Sequence, residues 1–455
     1  MNITDAMIFL EDVKQIGSRP GLTTISQLLE ELGSPQKEVA FVHVAGTNGK
    51  GSVSAYIATI LASAGYVTGR FSSPAVFDYR EMIQLLNKNV QEKEPEKEIQ
   101  LFSIEEEELA DCISEIRAAC TRMITKGKNH PTIFEIETAT AFLYFRKKKC
   151  DIAVIEVGMG GKLDATNVID TTKCAVLTAI SMDHMEYLGD TLQEIAEHKA
   201  GIIKSNIPVV TYQQPEEVQK VIEKRAIEKG SSLIEADFSK IVIKDMDMEG
   251  TLFDYSNYKD LKIKLLGKNQ VYNAVTAILA VTALHDNGFP IKTEEIYTGL
   301  ESTVWEGRFQ PISKNPLVII DGAHNEGAAE VLAENIRSYL KDKKLYYIMG
   351  MFKDKDYKTV LKLTGKYASE IYCITPPTER GLHSKLLAEE AISQGISAID
   401  AGNVETAIHM IADKINEEEN YAILAFGSLS ILKEIKENFR LQFTKSIGRY
   451  EVEYD

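Results

Sequence analysis

Short apolar runs alternate with longer amphipathic stretches from about residue 40 to 215. The runs FVHVAG, DIAVIEVG and CAVLTAI are continuous rather than alternating. Strands buried on both faces read that way, so they predict a parallel sheet flanked by helices. A second alternation begins near residue 317, with LVIID, LYYIM, EIYCI and YAILAF as strand candidates. Between the two lie a strand-rich stretch at about 233–266, a helix starting near Gln270, and the segment WEGRFQPISKNP. That segment holds the only tryptophan and precedes a fresh run of βα units, so it divides the chain into domains of residues 1–303 and 304–455. The expected fold is α/β: an N-terminal parallel-sheet domain with a small added β region, then a smaller Rossmann-like α/β domain. Residues 91–108 are dense in alternating charge and predict a solvated loop leading into a helix. Ser103 with Glu106 has the spacing of a capping box, and Leu109, Cys112, Ile113, Ile116 and Cys120 form one buried stripe beyond it.

Composition narrows the class. Of 455 residues, 44% are hydrophobic and 26% charged, which fits a folded globular protein. Lys and Arg total 51 against 67 Asp and Glu, a net charge of −16 that argues against a nucleic-acid partner. A bound nucleotide is still compatible, because a few local donors and a cation hold one. The longest apolar runs fall far short of the ~20 residues a membrane-spanning helix needs. The start, MNITDAMIFLEDV, lacks the basic region of a secretory signal. Five scattered cysteines (Cys112, Cys120, Cys150, Cys174 and Cys373) form no CxxC pair and fit buried thiols in a reducing compartment. The expectation is a cytoplasmic monomer.

Five stretches carry chemistry. AGTNGKGS, residues 45–52, follows the strand FVHV and precedes the helix-like SVSAYIATILASAG. A glycine-rich turn there offers backbone N–H groups to phosphate, and Lys50 adds a point charge. The spacing Gly46-x-x-Gly49-Lys50, with Ser52 one place late, departs from the strict GxxxxGK[ST] pattern. In EVGMGGKLDATN, Glu156 closes a wholly apolar strand, where a carboxylate must be paired or bound to a cation. In ISMDHMEYLGDT, Asp183 and His184 follow the strand CAVLTAI, at the edge where ligands of parallel sheets gather. Residues 192–203 read as a helix with Leu192, Ile195, Ala196, Ile202 and Ile203 on one stripe, and Lys199 falls on it. A lysine there either pairs or snorkels, or loses its proton and takes up CO₂ as a carbamate able to hold a second cation; spacing leaves both open. Lastly, IIDGAHNEGA places Asp321 and His324 at a strand end, with Arg308 upstream.

Together these stretches resemble the ADP-forming amide ligases of the Mur superfamily, and within it the folylpolyglutamate synthase and dihydrofolate synthase family. The resemblance rests on HVAGTNGKGS, SSP, FEIETATAFLYF, EVGMGGKLDATN, ISMDH, EHKAGIIK, WEGRF and IIDGAHN in that order. It implies that Gly46, Thr47, Asn48, Gly49, Lys50, Gly51 and Ser52 form the ATP phosphate loop. It assigns Mg²⁺ to Ser73, Glu156 and His184, and a second Mg²⁺ to a carbamylated Lys199, with a monovalent cation besides. Asn273 would face the adenine. Arg308, Asp321 and His324 would act on the nucleotide, Lys50, Lys199, Asp321 and His324 serving catalysis. Phe134 and Asp164 would contact the pterin-bearing substrate, folate or dihydropteroate, and Ser428 would help hold L-glutamate. Four departures bear on substrate rather than on reaction: the order Arg80-Glu81-Met82, Glu326 in place of a proline, Gln310 in place of an acid, and Gly427-Ser428-Leu429-Ser430-Ile431 in place of GSLYL. The rival readings are another Mur-type ligase acting on a cell-wall or poly-amino-acid substrate, and a protein that binds ATP without ligating anything.

Overall fold

The structure is a computed structural model and describes residues 1–17, 19–88, 99–415 and 420–446, with side chains as far as residue 440. The chain divides into two compact units. The first comprises Met1–Lys244, Leu252–Lys264 and Gln270–Val304; the second comprises Asp245–Thr251, Leu265–Asn269 and Trp305–Asp455.

The first unit is built on eight strands: β1 (Ala40–Ala45), β2 (Thr68–Phe71), β3 (Ile83–Lys88), β4 (Ile99–Ser103), β5 (Ile152–Glu156), β6 (Thr172–Leu177), β7 (Val209–Thr211) and β8 (Leu233–Glu235). Their order is β4-β3-β2-β5-β1-β6-β7-β8. From β2 to β8 all pairs are parallel, while β3 and β4 add antiparallel edges. The continuous apolar runs became the central strands because both faces are covered. Phe41, Phe142 and Phe145 belong to one core and Ile195, Ile202, Val209 and Ile222 to another. The helix Lys50–Ser63 is buried from Gly51 to Ser63, which explains its lack of a polar face.

The strand-rich stretch splits. Its first piece is β8, and the rest is a three-stranded sheet of β9 (Ile241–Asp247), β10 (Gly250–Tyr255) and β11 (Tyr258–Ile263). The following helix is Lys268–His285. The second unit holds β12 (Gln310–Lys314), β13 (Leu317–Ile320), β14 (Lys344–Met349), β15 (Glu370–Ile374), β16 (Ala398–Gly402) and β17 (Tyr421–Phe426) in the order β12-β13-β17-β14-β15-β16. Only β12 runs antiparallel to its neighbour, so this is a mixed sheet of the expected α/β class.

Three local expectations need correction. Ser103 caps nothing: it ends β4, paired with Gln84 of β3, and the helix Glu106–Thr125 starts from Glu105 without a side-chain cap bond. Residues 99–103 of the supposed loop are therefore strand, because pairing with β3 satisfies their backbone; residues 89–98 lie outside the described residues. The helix bearing Lys199 is Leu192–Ala200 and stops before Ile202 and Ile203, though both are buried as the stripe requires. The stripe from Leu109 to Cys120 is buried, as are all five free cysteines. Among the described residues no helix is long and apolar enough to cross a membrane.

Candidate active site

The C-terminal ends of β2, β5, β1 and β6 lie side by side, and the chain leaves each of them through residues with chemistry. Ser73 follows β2, Glu156 ends β5, the loop from Gly46 follows β1, and Asp183 with His184 follows β6. Register places Glu156 beside Val44, two residues short of Gly46. Sequence separations of more than a hundred residues thus become neighbouring positions on one sheet edge.

The Gly46–Ser52 loop is held by hydrogen bonds to the segment after β6. Backbone N–H groups of Thr47 and Asn48 donate to the Ala179 carbonyl at 2.8 and 3.2 Å. Thr47 Oγ1 donates to the Ser181 carbonyl at 2.9 Å and accepts the Ser181 N–H at 3.1 Å. Gly49 sits at φ +88° at the start of the helix Lys50–Ser63. A Cβ on Gly49 would lie 2.7 Å from Asn273 Oδ1, so the loop and the buried Asn273 are in close approach. Asn273 Nδ2 donates to Gln270 Oε1 at 3.0 Å.

Two amines converge on this loop. Lys50 is half-buried and its Nζ donates to the Thr47 carbonyl at 3.2 Å. Lys199 is buried and its Nζ donates to the Gly46 carbonyl at 2.7 Å. Burial, reinforced by the charge of Lys50, lowers the Lys199 pKa to about 7 against the pull of Asp183 and Asp164. The helix carrying Lys199 is itself pinned to the glycine loop. The Lys162 N–H donates to the His198 carbonyl at 2.7 Å, and a Cβ on Gly161 would come within 2.7 Å of that same oxygen.

Glu156 is 6% exposed. Arg70 on β2, buried, feels its charge and that of Glu81, while burial pulls the guanidinium down to about 10. Arg70 also donates to Gln84 Oε1 through Nε at 2.9 Å. The sequence reading missed Arg70; a charged residue inside the buried strand TGRF was the available signal. His184 adopts φ +51°, an uncommon conformation for a side-chain-bearing residue, and its Nε2 lies 3.8 Å from Asp183 Oδ2. Among the described residues no group of three or more His, Cys, Asp or Glu side chains gathers to hold a metal. A site of one carboxylate, a hydroxyl and a histidine still fits Mg²⁺, which keeps waters and substrate phosphates in its shell rather than demanding a protein cage.

Beside this edge is a cavity of about 410 Å³, lined by Ser73, Phe134, Glu137, Asp164, His198 and Arg19 among others. Phe134 packs over Gly158, where a Cβ would lie 2.5 Å from its ring. Asp164 is buried with both carboxylate oxygens engaged: Oδ1 accepts from Thr166 N and Oγ1 at 3.0 and 2.5 Å, and Oδ2 from Met159 N at 2.9 Å. Burial raises its pKa against these bonds. The single Thr166 hydroxyl proton goes to Asp164, so the contact of Thr166 Oγ1 with His43 Nε2 at 2.9 Å requires His43 to donate. His43 is fully buried, Nδ1 has no hydrogen-bond partner, and burial pushes the ring's pKa down to about 3. His43 is therefore the neutral Nε2–H tautomer, a second residue the sequence reading passed over. Thr166→Val orphans that N–H and removes one bond to Asp164. It should cost about 1–3 kcal/mol of stability, measured by denaturant unfolding against the parent chain.

In the second unit, Asp321 follows β13 and accepts the N–H groups of Phe309 and Ala323, each at 2.7 Å. Burial raises its pKa and the Arg308 charge opposes that. His324 Nδ1 lies 2.7 Å from the Gly322 carbonyl, and Asn325 caps the helix Glu326–Tyr339. Glu326 stands at that helix's first position, where its charge suits the dipole. Gln310 Oε1 accepts the Gly307 N–H at 2.9 Å. Ser428 is buried, with its hydroxyl 2.9 Å from Ser430 Oγ and accepting the Ser430 N–H at 3.2 Å.

A glycine-rich loop between strand and helix at a parallel-sheet edge, in a chain that also holds a second α/β unit, is the arrangement expected of ATP-dependent amide ligases. Known families agree: residues 109–281 match the Mur ligase middle domain and residues 307–429 the Mur ligase, glutamate ligase domain. The dihydrofolate synthase/folylpolyglutamate synthase of Bacillus subtilis is 32% identical over 96% of this chain and 99% of its own. Among solved structures, Escherichia coli FolC in complex with DHPP and ADP superposes with a TM-score of 0.82, at 27% identity over 98% of this chain and 99% of that one. Mycobacterium tuberculosis folylpolyglutamate synthase, complexed with ADP and AMPPCP, gives 0.83 at 26% identity over 99% and 100%. The chain belongs to the folylpolyglutamate synthase/dihydrofolate synthase family of Mur ligases and is an ADP-forming amide ligase.

Proposed function

We infer that the chain joins L-glutamate to the carboxyl of a folate, or of dihydropteroate, at the expense of ATP. The observation that carries this is the pair of lysines on the Gly46–Ser52 loop beside a cavity lined by an aromatic ring and a buried acid. A carboxylate resists attack because its charge repels nucleophiles and oxide leaves poorly. Transfer of the γ-phosphoryl group to one carboxylate oxygen, with release of ADP, gives an acyl phosphate. The amino nitrogen of glutamate then attacks the acyl carbon and loses a proton, and phosphate leaves as the amide forms.

Each residue acts by charge or position. The Gly46–Ser52 backbone and Lys50 offset phosphate charge as it moves from ATP to the acid. Asn273, against Gly49, orients the loop toward the nucleotide base. Phe134 offers a face to the pterin, and Asp164 holds the cavity wall through Met159 and Thr166. Ser73, Glu156 and His184 would hold Mg²⁺, which supplies charge neutralisation on the phosphates when bound. Lys199, with a pKa near 7, carries an appreciable neutral fraction at neutral pH, the form that adds CO₂. As a carbamate it would carry negative charge toward a second Mg²⁺; a monovalent cation remains part of the same assignment. Arg308, Asp321 and His324 are assigned to the nucleotide, and Ser428 to positioning glutamate through its turn. The reading extends to a cytoplasmic monomer, with the first unit for ATP and folate and the second for glutamate and nucleotide contacts.

The direct test is incubation with ATP, Mg²⁺, L-glutamate and a panel of folates, following ADP release and product mass. ADP release should require both a folate and the amino acid, and the product should gain one glutamyl residue. Release that ignores either substrate would remove the assignment.

A further inference from the structure

Beyond the last regular pair of β6 and β7, one side chain takes over the ladder. The two strands pair as far as Leu177 and Thr211, and the Tyr212 N–H still donates to the Leu177 carbonyl at 2.8 Å. The chain after β7 then turns through Pro215 into the helix Glu216–Lys229, and its backbone leaves the sheet. Gln214 continues the pairing instead. Its Nε2 donates to the Thr178 carbonyl at 2.8 Å, and its Oε1 accepts the Ile180 N–H at 3.2 Å. A carbonyl only accepts and a backbone N–H only donates, so the orientation of the amide is forced. Nε2 also lies 3.4 Å from Thr211 Oγ1. Gln214 is half-buried, while Thr178 and Ile180 are buried.

The opposite edge of this short segment carries the glycine-rich loop. The Thr178 N–H donates to the Ala45 carbonyl at 2.8 Å, and the Ala179 carbonyl accepts the N–H groups of Thr47 and Asn48. Ser181 binds Thr47 Oγ1 through its own N–H and carbonyl. Residues 178–181 lie outside β6 and meet the loop through one isolated bridge, Asn48 with Ala179. They form a spacer with Gln214 on one side and Thr47 and Asn48 on the other.

We propose that Gln214 is a positioning residue for nucleotide binding: its amide clamps Thr178 and Ile180, and through them keeps the Gly46–Ser52 loop in its phosphate-binding shape before nucleotide arrives. This rests on the reading of that loop as the seat of the ATP phosphates. A hydrogen bond of this kind shifts an equilibrium by roughly two- to tenfold. A loop that is competent for only a fraction of the time weakens apparent affinity by that fraction. Once bound phosphates order the loop, turnover proceeds as before, so the loss falls on binding rather than on kcat.

The test compares the parent chain with two variants at pH 8. Gln214→Met keeps the length of the side chain and removes both bonds. Gln214→Glu keeps its shape and, ionised, loses the donor to Thr178. Calorimetric titration with ADP and Mg²⁺ should give a dissociation constant raised about 5–20-fold in Gln214→Met and about threefold or more in Gln214→Glu. KM for ATP should rise by the same factors, while kcat and the folate KM stay within about threefold of the parent. Without nucleotide, hydrogen–deuterium exchange of the peptide spanning residues 46–52 should quicken about 5–10-fold in Gln214→Met, with the helix Leu192–Ala200 unchanged. A side chain that merely filled space would leave Gln214→Glu at parent values, and a merely structural one would reduce the amount of active enzyme without raising KM. Unchanged ADP affinity and unchanged loop exchange in both variants overturn the proposal and leave the reading of the loop intact. Weaker ADP binding with parent-like exchange also overturns it, because the effect would not run through the loop. Faster loop exchange with unchanged ADP affinity overturns both, since the loop would then not be what the nucleotide binds.

Discussion

Lys50→Ala should lower kcat/KM for ATP by about 10²–10³-fold, the scale expected when one preorganised charge partner is removed from a phosphoryl-transfer site. Lys50 is half-buried and the bond its amine makes to the Thr47 carbonyl is local. The fold has little to lose, so the thermal midpoint should stay within about 2 °C of the parent, less than ~1 kcal/mol for a chain of this size. The substitution also removes the positive charge that depresses the Lys199 pKa, which should rise above about 7. Steady-state kinetics and a melting curve on the same sample check both halves. A large loss of stability would mean that Lys50 is a structural residue.

Gly46→Ala should damage stability and activity together. A Cβ there would sit 1.8 Å from Thr178 Oγ1, on the residue that follows strand β6, and the backbone stands at φ +157°. Neither side yields easily, because Thr178 is buried and Gly46 carries the carbonyl that accepts the Lys199 amine. Overpacking of this kind costs about 1–3 kcal/mol, and displacing the loop should remove measurable ATP turnover. Thr178→Ala in the same chain removes the hydroxyl but leaves the methyl carbon 3.0 Å away, so rescue of stability should be partial. Denaturant unfolding of the two single variants and the double variant reads this out. Additive losses in the double variant would show that the contact is not what restricts position 46.

What the sequence disclosed and what it hid divide along contact range. The strand, glycine-rich turn and helix around Lys50 were legible because they lie within one short segment, Ala40 to Ser63. Lys199 was legible because its place on an apolar helical stripe is local, although its partner, Gly46, is 153 residues away. Ser103 was misread because pairing between β3 and β4 claimed its backbone, a contact that no local pattern encodes. Arg70 and His43 were hidden for the same reason: a buried charge or ring inside a strand signals something, but its partners, Gln84 and Thr166, come from elsewhere in the chain.

Temporary phosphorylation of an acid is the claim on which the chemistry rests, and oxygen labelling tests it without any variant. The folate or dihydropteroate substrate is prepared with oxygen-18 in the reacting carboxyl and turned over with ATP, Mg²⁺ and L-glutamate. The inorganic phosphate released is then analysed by mass spectrometry. Each amide formed should deliver one oxygen-18 atom into phosphate, with none in ADP. Phosphate free of label while labelled amide accumulates would contradict acyl-phosphate chemistry in this protein.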